Sequence, residues 1–334
     1  MADDAKWTAM LWSCQTRWAV LALALITCGA TADDNTSELP TYSSTVSEVR
    51  VTFFATDETN HAVATLTKTD FAVVDNEQVV RNFRSFAHSE ETSLEIVILV
   101  DTSQSVESRL QLTKGDVTRL LERERSVPED VISILSFGGT SATPTKDGLV
   151  TQFAGLRPAV LCSGGCQTSD SITKLTAVRS TGTTPLFDAL IFGADFTLHH
   201  RRAGVRPVLI LFSDGNDNIS LHSSRDALRE VTAAGALIYS IDIGNPKKQT
   251  SGSAYLQQLS EATGGRYFSL RPSRQENAST VLSAVLDDLR ASYVVTYDLP
   301  SHRVGFHSLR LLPTNNLNFT FHSRNGYFYE PSLR

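Results

Sequence analysis

Residues 91–290 predict an α/β fold: a doubly wound, mainly parallel central sheet with helices on both faces. Three observations carry this. Apolar strand-length runs alternate with helix-length segments, the rhythm of parallel strands joined by helical crossovers. Runs such as VLILF (208–212) are apolar without alternation, as strands covered on both faces are. On either side, residues 46–90 and 291–334 change to short β-type segments punctuated by Pro and Asn, predicting a small β unit in which the two flanks pair.

VRVTFFATD alternates well enough for an opening strand. FAVV and QVVRNF then read as a hairpin, with Asp75-Asn76 as the turn signal. LEIVILVD opens the alternating region, and VISILSF, LVTQF, VLILFSD and ALIYSIDIG are its further strand candidates. The helix candidates are VESRLQLTKGDVTRLLERE, TPLFDALIFGADFTLHH, RDALREVTAAG, AYLQQLSEATG and STVLSAVLDDLRA. Several have Ser, Thr or Asp near their starts and Gly after their ends, the residues that satisfy exposed helix termini. ASYVVTYDLP, HSLRLLP, NFTFHS and RNGYFYEP return to strand character.

The 334 residues with a 41% hydrophobic fraction suffice for two domains with a real core. A net charge of -6 argues against non-specific nucleic-acid binding, which needs a basic stripe to neutralise phosphates. Residues 1–32 read as a signal peptide: Lys6 and Arg17 precede the apolar WAVLALALIT, and Ala30-Thr31-Ala32 offers a small-x-small cleavage site. The apolar run is too short to span a membrane comfortably, although an uncleaved anchor stays open. Cleavage makes the protein secreted, periplasmic or envelope-bound, with no membrane span in the mature chain. Residues 33–45 are polar and Ser/Thr-rich, a flexible linker. The mature chain keeps Cys162 and Cys166, which in an exported protein read as a disulfide, with two free thiols as the alternative.

The chemistry concentrates at LEIVILVDTSQS, where an apolar strand ends in Asp101, Ser103 and Ser105. Oxygens at alternate positions after a buried strand suit a hard divalent cation: Mg2+, with Mn2+ or Ca2+ open. STGTTPLFDAL places Thr183 and Thr184 before a helix, and VLILFSDGNDN ends another strand at Asp214, completing a five-oxygen set. Ser and Thr at such junctions are also ordinary helix caps, but capping does not require distant oxygens to converge.

This constellation resembles the metal-ion-dependent adhesion site of the von Willebrand factor type A (VWFA) family: D-x-S-x-S, a distant Thr, then a distant Asp. Asp101, Ser103, Ser105, Thr184 and Asp214 match it one by one. The whole layout, residues 47–331, is similar to VWFA-related proteins first catalogued as acidobacterial. The resemblance implies a Rossmann-like VWFA domain at 91–290, with Ser103, Ser105 and Thr184 binding the metal directly and Asp101 and Asp214 acting mainly through water. It also implies a protein ligand that offers an acidic side chain to the metal. Gln104, Val106 and Thr183 stand where the family often has Gly, Met and Gly. If those loops need glycine-like backbone, strain and weaker metal binding follow. Thr183 is an alternative to Thr184, and Asp217 a possible supplement to Asp214.

The sequence has no G-x-S-x-G elbow, no H-E-x-x-H and no phosphate-binding Gly-rich loop, so the expectation is a binding protein rather than an enzyme. The alternatives are an envelope-assembly component with a purely structural metal and, less favoured, a metal-dependent hydrolase.

Overall fold

A computed structural model of the chain describes residues 48–88, 93–124, 130–139, 142–145, 148–151, 157–166, 168–200, 205–244, 250–270, 278–314 and 318–330. The leader and linker expected at 1–45 lie outside these residues. Four strands come first: β1 (Glu48–Thr56), β2 (Phe71–Asp75), β3 (Gln78–Val80) and β4 (Ser85–His88). The alternating region follows with β5 (Leu94–Asp101), α1 (Glu107–Glu124), β6 (Val131–Phe137), β7 (Ala142–Thr145), β8 (Gly148–Thr151), β9 (Ala159–Cys162) and α2 (Ser169–Ala177). It continues through α3 (Leu186–His200), β10 (Arg206–Ser213), α4 (Ser224–Ala234), β11 (Leu237–Asp242), α5 (Ser251–Thr263), β12 (Tyr267–Ser269) and α6 (Ala278–Arg290). The chain then returns to strands: β13 (Tyr293–Asp298), β14 (Gly305–Pro313), β15 (Thr320–Ser323) and β16 (Gly326–Tyr329).

The central sheet has the order β12-β11-β10-β5-β6-β9, parallel throughout except for β9. Its strands bury both faces, which explains their unbroken apolar runs. Ile96, Ile98 and Val100 of β5 face α1 and α6, where Leu110, Val117, Leu121 and Val285 close one core. Val97 and Leu99 face the other way, against α3, α4 and α5 through Leu186, Leu190, Val231 and Leu256. The fold class is therefore the doubly wound one. Two helices stop as their sequences dictate: α4 at Gly235 and α5 at Gly264, both left-handed, after starts capped by Ser223 and Thr250.

Two details differ from the sequence expectation. Of LVTQF, the described part pairs as β8 with β7 in a separate hairpin, and the sheet's edge is instead the four-residue AVLC of β9, antiparallel to β6. A short amphipathic helix, α2, also follows the cysteines; its Leu175 joins the α1 and α6 core, and Thr168 caps it. Its nine residues are shorter than the run that a helical period needs to stand out in sequence.

The flanks form two four-stranded sheets, β15-β1-β13-β4 and β16-β14-β2-β3. β1 runs antiparallel to β13, and β2 antiparallel to β14, so the two ends of the chain do pair. Val49, Val51, Phe53, Phe71, Val73, Tyr293, Val295 and Leu309 fill one core between these sheets. Phe54 points to the opposite side of β1, stacking near Tyr239 of β11 and joining the α/β core. Among the described residues no helix is long and apolar enough to cross a membrane.

Candidate metal centre

β5 and β10 are neighbours in register, with Val100 beside Phe212, so their C-terminal ends deliver Asp101 and Ser213 to adjacent positions. Asp101 is fully buried. Its Oδ1 accepts the Ser103 N–H at 2.9 Å, and its Oδ2 accepts the Ser213 hydroxyl at 2.7 Å. Among the described residues no Lys or Arg forms an ion pair with it. Burial pushes its pKa up to about 6, the Ser103 and Ser213 hydrogen bonds pull it back, and the field of Asp214 raises it further. A buried carboxylate held this way favours a cation beside it.

The chain then turns through a single 3-10 turn, Gln104–Val106. Ser103 is buried and Ser105 exposed, and their hydroxyl oxygens lie 3.1 Å apart. The alternate spacing of the motif thus puts two hydroxyls on one side of the turn. Gly138, at φ 132°, lets the end of β6 press against this turn: a Cβ there would lie 2.7 Å from the Ser103 nitrogen.

The stretch before α3 is laced onto the same turn. Ser180 Oγ donates to Ser103 O at 2.7 Å, Thr181 N–H to Thr102 O at 2.9 Å, and Gln104 N–H to Gly182 O at 3.1 Å. Thr184 lies two residues beyond Gly182, within roughly a nanometre of this turn by chain reach. It is 2% exposed. Its N–H donates to Asn218 Oδ1 and its carbonyl accepts the Asn218 N–H, a two-point clasp from the loop after β10. Among the described residues nothing hydrogen-bonds the Thr184 hydroxyl. The Thr183 hydroxyl, by contrast, donates to Gly139 O at 3.0 Å.

Asp214 is buried, and its Oδ1 accepts the Asn216 N–H at 3.0 Å. The loop behind it rests directly on α5: Gly215 is left-handed, and a Cβ on it would lie 2.2 Å from Gly252 O. Asp217 faces α3 instead, its Oδ2 accepting the Phe187 N–H and the Ser220 hydroxyl. Neither Gln104 nor Thr183 has positive φ, so the strain expected from the missing glycines is not there.

The structure thus joins Asp101, Ser103 and Ser105 by direct hydrogen bonds, brings Asp214 into the field of Asp101, and ties the Thr184 loop to the same turn. All contribute oxygen, the donor chemistry of a hard cation. Sequence reasoning missed Ser213, Ser180 and Asn218, which orient the set. All three are ordinary polar residues with no distinguishing spacing. Cys162 and Cys166 are disulfide-bonded, their Cα atoms 5.8 Å apart, beside the β9 edge.

The family model of the von Willebrand factor type A domain matches residues 95–281. No curated protein matches the chain. Among solved structures, an aerotolerance-related membrane protein from Bacteroides fragilis NCTC 9343 is 16% identical with a TM-score of 0.42, over 59% of this chain and 98% of that one. The SpRpn10 VWA domain is 12% identical with a TM-score of 0.42 over the same shares. The pilus adhesin SpaC from Lactobacillus rhamnosus GG, in an open conformation, is 11% identical with a TM-score of 0.43, over 80% of this chain and 46% of that chain.

Proposed function

Because the chain belongs to the von Willebrand factor type A domain family, we propose that it is an exported, non-catalytic protein that binds a protein ligand through a divalent cation held by Asp101, Ser103, Ser105, Thr184 and Asp214. The observation that carries this reading is the buried Asp101 carboxylate: no basic partner among the described residues, two inward donors, and the Ser103 and Ser105 hydroxyls beside it. A bound Mg2+ supplies a Lewis-acidic position that an outside carboxylate can complete.

Each residue then has a definite task. Ser103, Ser105 and Thr184 present neutral hydroxyls, which leave the site hungry for an anionic ligand. Asp101 and Asp214 supply the negative charge from behind. Ser213 fixes the Asp101 carboxylate, and Asn218 fixes the backbone of Thr184. The exposed edge is Ser105, so a partner's Asp or Glu side chain approaches from that side. Asp101 is poorly placed as a general base, because it is buried and both oxygens already accept hydrogen bonds.

Export rests on the leader-like residues 1–32 and on the Cys162–Cys166 disulfide, a bond that persists in oxidising compartments. Calorimetric titration with Mg2+ should show one saturable site that Ser103→Ala removes; unchanged binding in that variant contradicts the site. Retention of an acidic peptide by immobilised protein, present with Mg2+ and lost with EDTA, tests the ligand mode. Mg2+ binding without any such retention supports a structural metal instead.

A further inference from the structure

At the other end of the same sheet, a cavity of about 270 Å³ opens between the β unit and the starts of β10 and β11. Three guanidinium groups line it: Arg50 from β1, Arg206 from the first position of β10, and Arg324 from the turn between β15 and β16. We propose that this cavity is a binding site for a doubly charged oxyanion of the phosphate class, gripped by Arg50, Arg206 and Arg324.

The charge balance points that way. None of the described residues lining the cavity is acidic. Among the described residues neither Arg50 nor Arg324 forms an ion pair. Three nearby carboxylates are engaged elsewhere. Asp130 takes the Leu94 N–H and Arg290, Asp288 takes Arg266, and Asp75 takes the Tyr297 and Tyr327 hydroxyls. The C-terminal end of α4 also reaches the cavity, but its partial negative charge, about half a unit, is small against three full positive ones.

The donors fit as well. Arg206 is 7% exposed, with Nη1 donating to Leu289 O, and burial together with the like charges of Arg290 and Arg50 pushes its pKa down to about 10. Arg324 donates from Nη2 to Arg50 O, lies over the Tyr327 ring, and keeps its buried Nε without a hydrogen-bond partner among the described residues. Planar guanidinium forks match phosphate oxygens two at a time. A dianion answers the crowding of three positive groups better than a monoanion does. The eight residues of β10 place Arg206 roughly 25 Å from Asp214. The site is therefore separate from the metal centre, and its occupant would bridge the β unit to the α/β domain.

Titration of the full chain with inorganic phosphate at constant ionic strength, read by calorimetry and thermal melting, tests this. The expected result is saturable binding, a raised Tm, weaker binding of succinate, and a loss of about tenfold or more in affinity on Arg50→Gln. Mg2+ binding should stay unchanged in that variant. Arg50 is exposed, so this replacement leaves packing intact, and a melt without phosphate verifies folding. Arg324→Lys provides a second reading that keeps the charge but loses the fork. Absence of saturable binding, a Tm rise that chloride reproduces, tighter binding of succinate, or full phosphate affinity in Arg50→Gln would overturn the proposal.

Discussion

The two ends of the central sheet are built from the same strands and carry opposite chemistry. β10 begins at Arg206, in a wall of guanidinium groups, and runs out into Asp214, in a nest of oxygens. β5 likewise ends in a buried carboxylate. The C-terminal rim is assembled from loops, each fastened to the next by hydrogen bonds to backbone: Ser180 to Ser103 O, Thr183 to Gly139 O, Asn218 to Thr184. The opposite rim is assembled from regular elements of two different parts of the fold, β1 and β15 on one side and β10 and β11 on the other. Short-range sequence spacing can thus write one site, whereas the other exists only after distant strands pair.

The largest expected effect tests whether the two rims are energetically independent. Near the arginine end, Arg266 pairs with Asp288 of α6, which is 1% exposed at its side chain; burial pushes Asp288 up to about 7 and Arg266 pulls it down. Arg266→Ala leaves that carboxylate buried without its partner and should cost about 3–5 kcal/mol in chemical denaturation. Mg2+ affinity of the folded fraction should not change. A loss of metal binding parallel to the loss of stability would show that the rims are coupled.

A pH experiment sharpens the same contrast. His322 stacks on Phe54, shares a hydrogen bond with Thr56, and is held at about 4 because burial disfavours the cation and Arg266 repels it. The unfolded imidazole takes a proton near 6.5 and the folded one resists until about 4. Stability is therefore lost as pH falls through that window, by up to about 3 kcal/mol. His322→Gln should flatten the loss relative to the parent protein in urea melts between those pH values. An identical acid profile would mean that the cation-rich surroundings of this residue exert no such force.

The smallest effect belongs to the oxygen rim. Asp101→Asn removes a charge that acts from behind the hydroxyls, so Mg2+ affinity should fall roughly 10- to 100-fold while metal-free stability holds or rises. A variant that loses stability in EDTA as much as in Mg2+ would make Asp101 a structural residue first.

The parts readable from sequence share a physical reason. LEIVILVD and VLILFSD announce buried parallel strands because both their faces must be apolar, and D-x-S-x-S announces converging oxygens because alternate residues share a side. β9 was hidden because AVLC is only four residues long and lies half-exposed at a sheet edge. α2 was hidden because nine residues are too short a run for its period to stand out. Ser213 and Asn218 were hidden because their value lies in what they touch, not in where they stand in the chain. The arginine cavity was hidden most completely: Arg50, Arg206 and Arg324 belong to separate segments, and only the pairing of β1 with β15 and the docking of both on the α/β domain bring them together.

The most direct measurement is anomalous diffraction from crystals soaked in Mn2+, an anomalously scattering stand-in for Mg2+. A peak is expected among the hydroxyls of Ser103, Ser105 and Thr184, with Asp101 and Asp214 behind it, and it should disappear in Ser103→Ala. Full Mn2+ loading elsewhere in the molecule, with no density among those three hydroxyls, would contradict it.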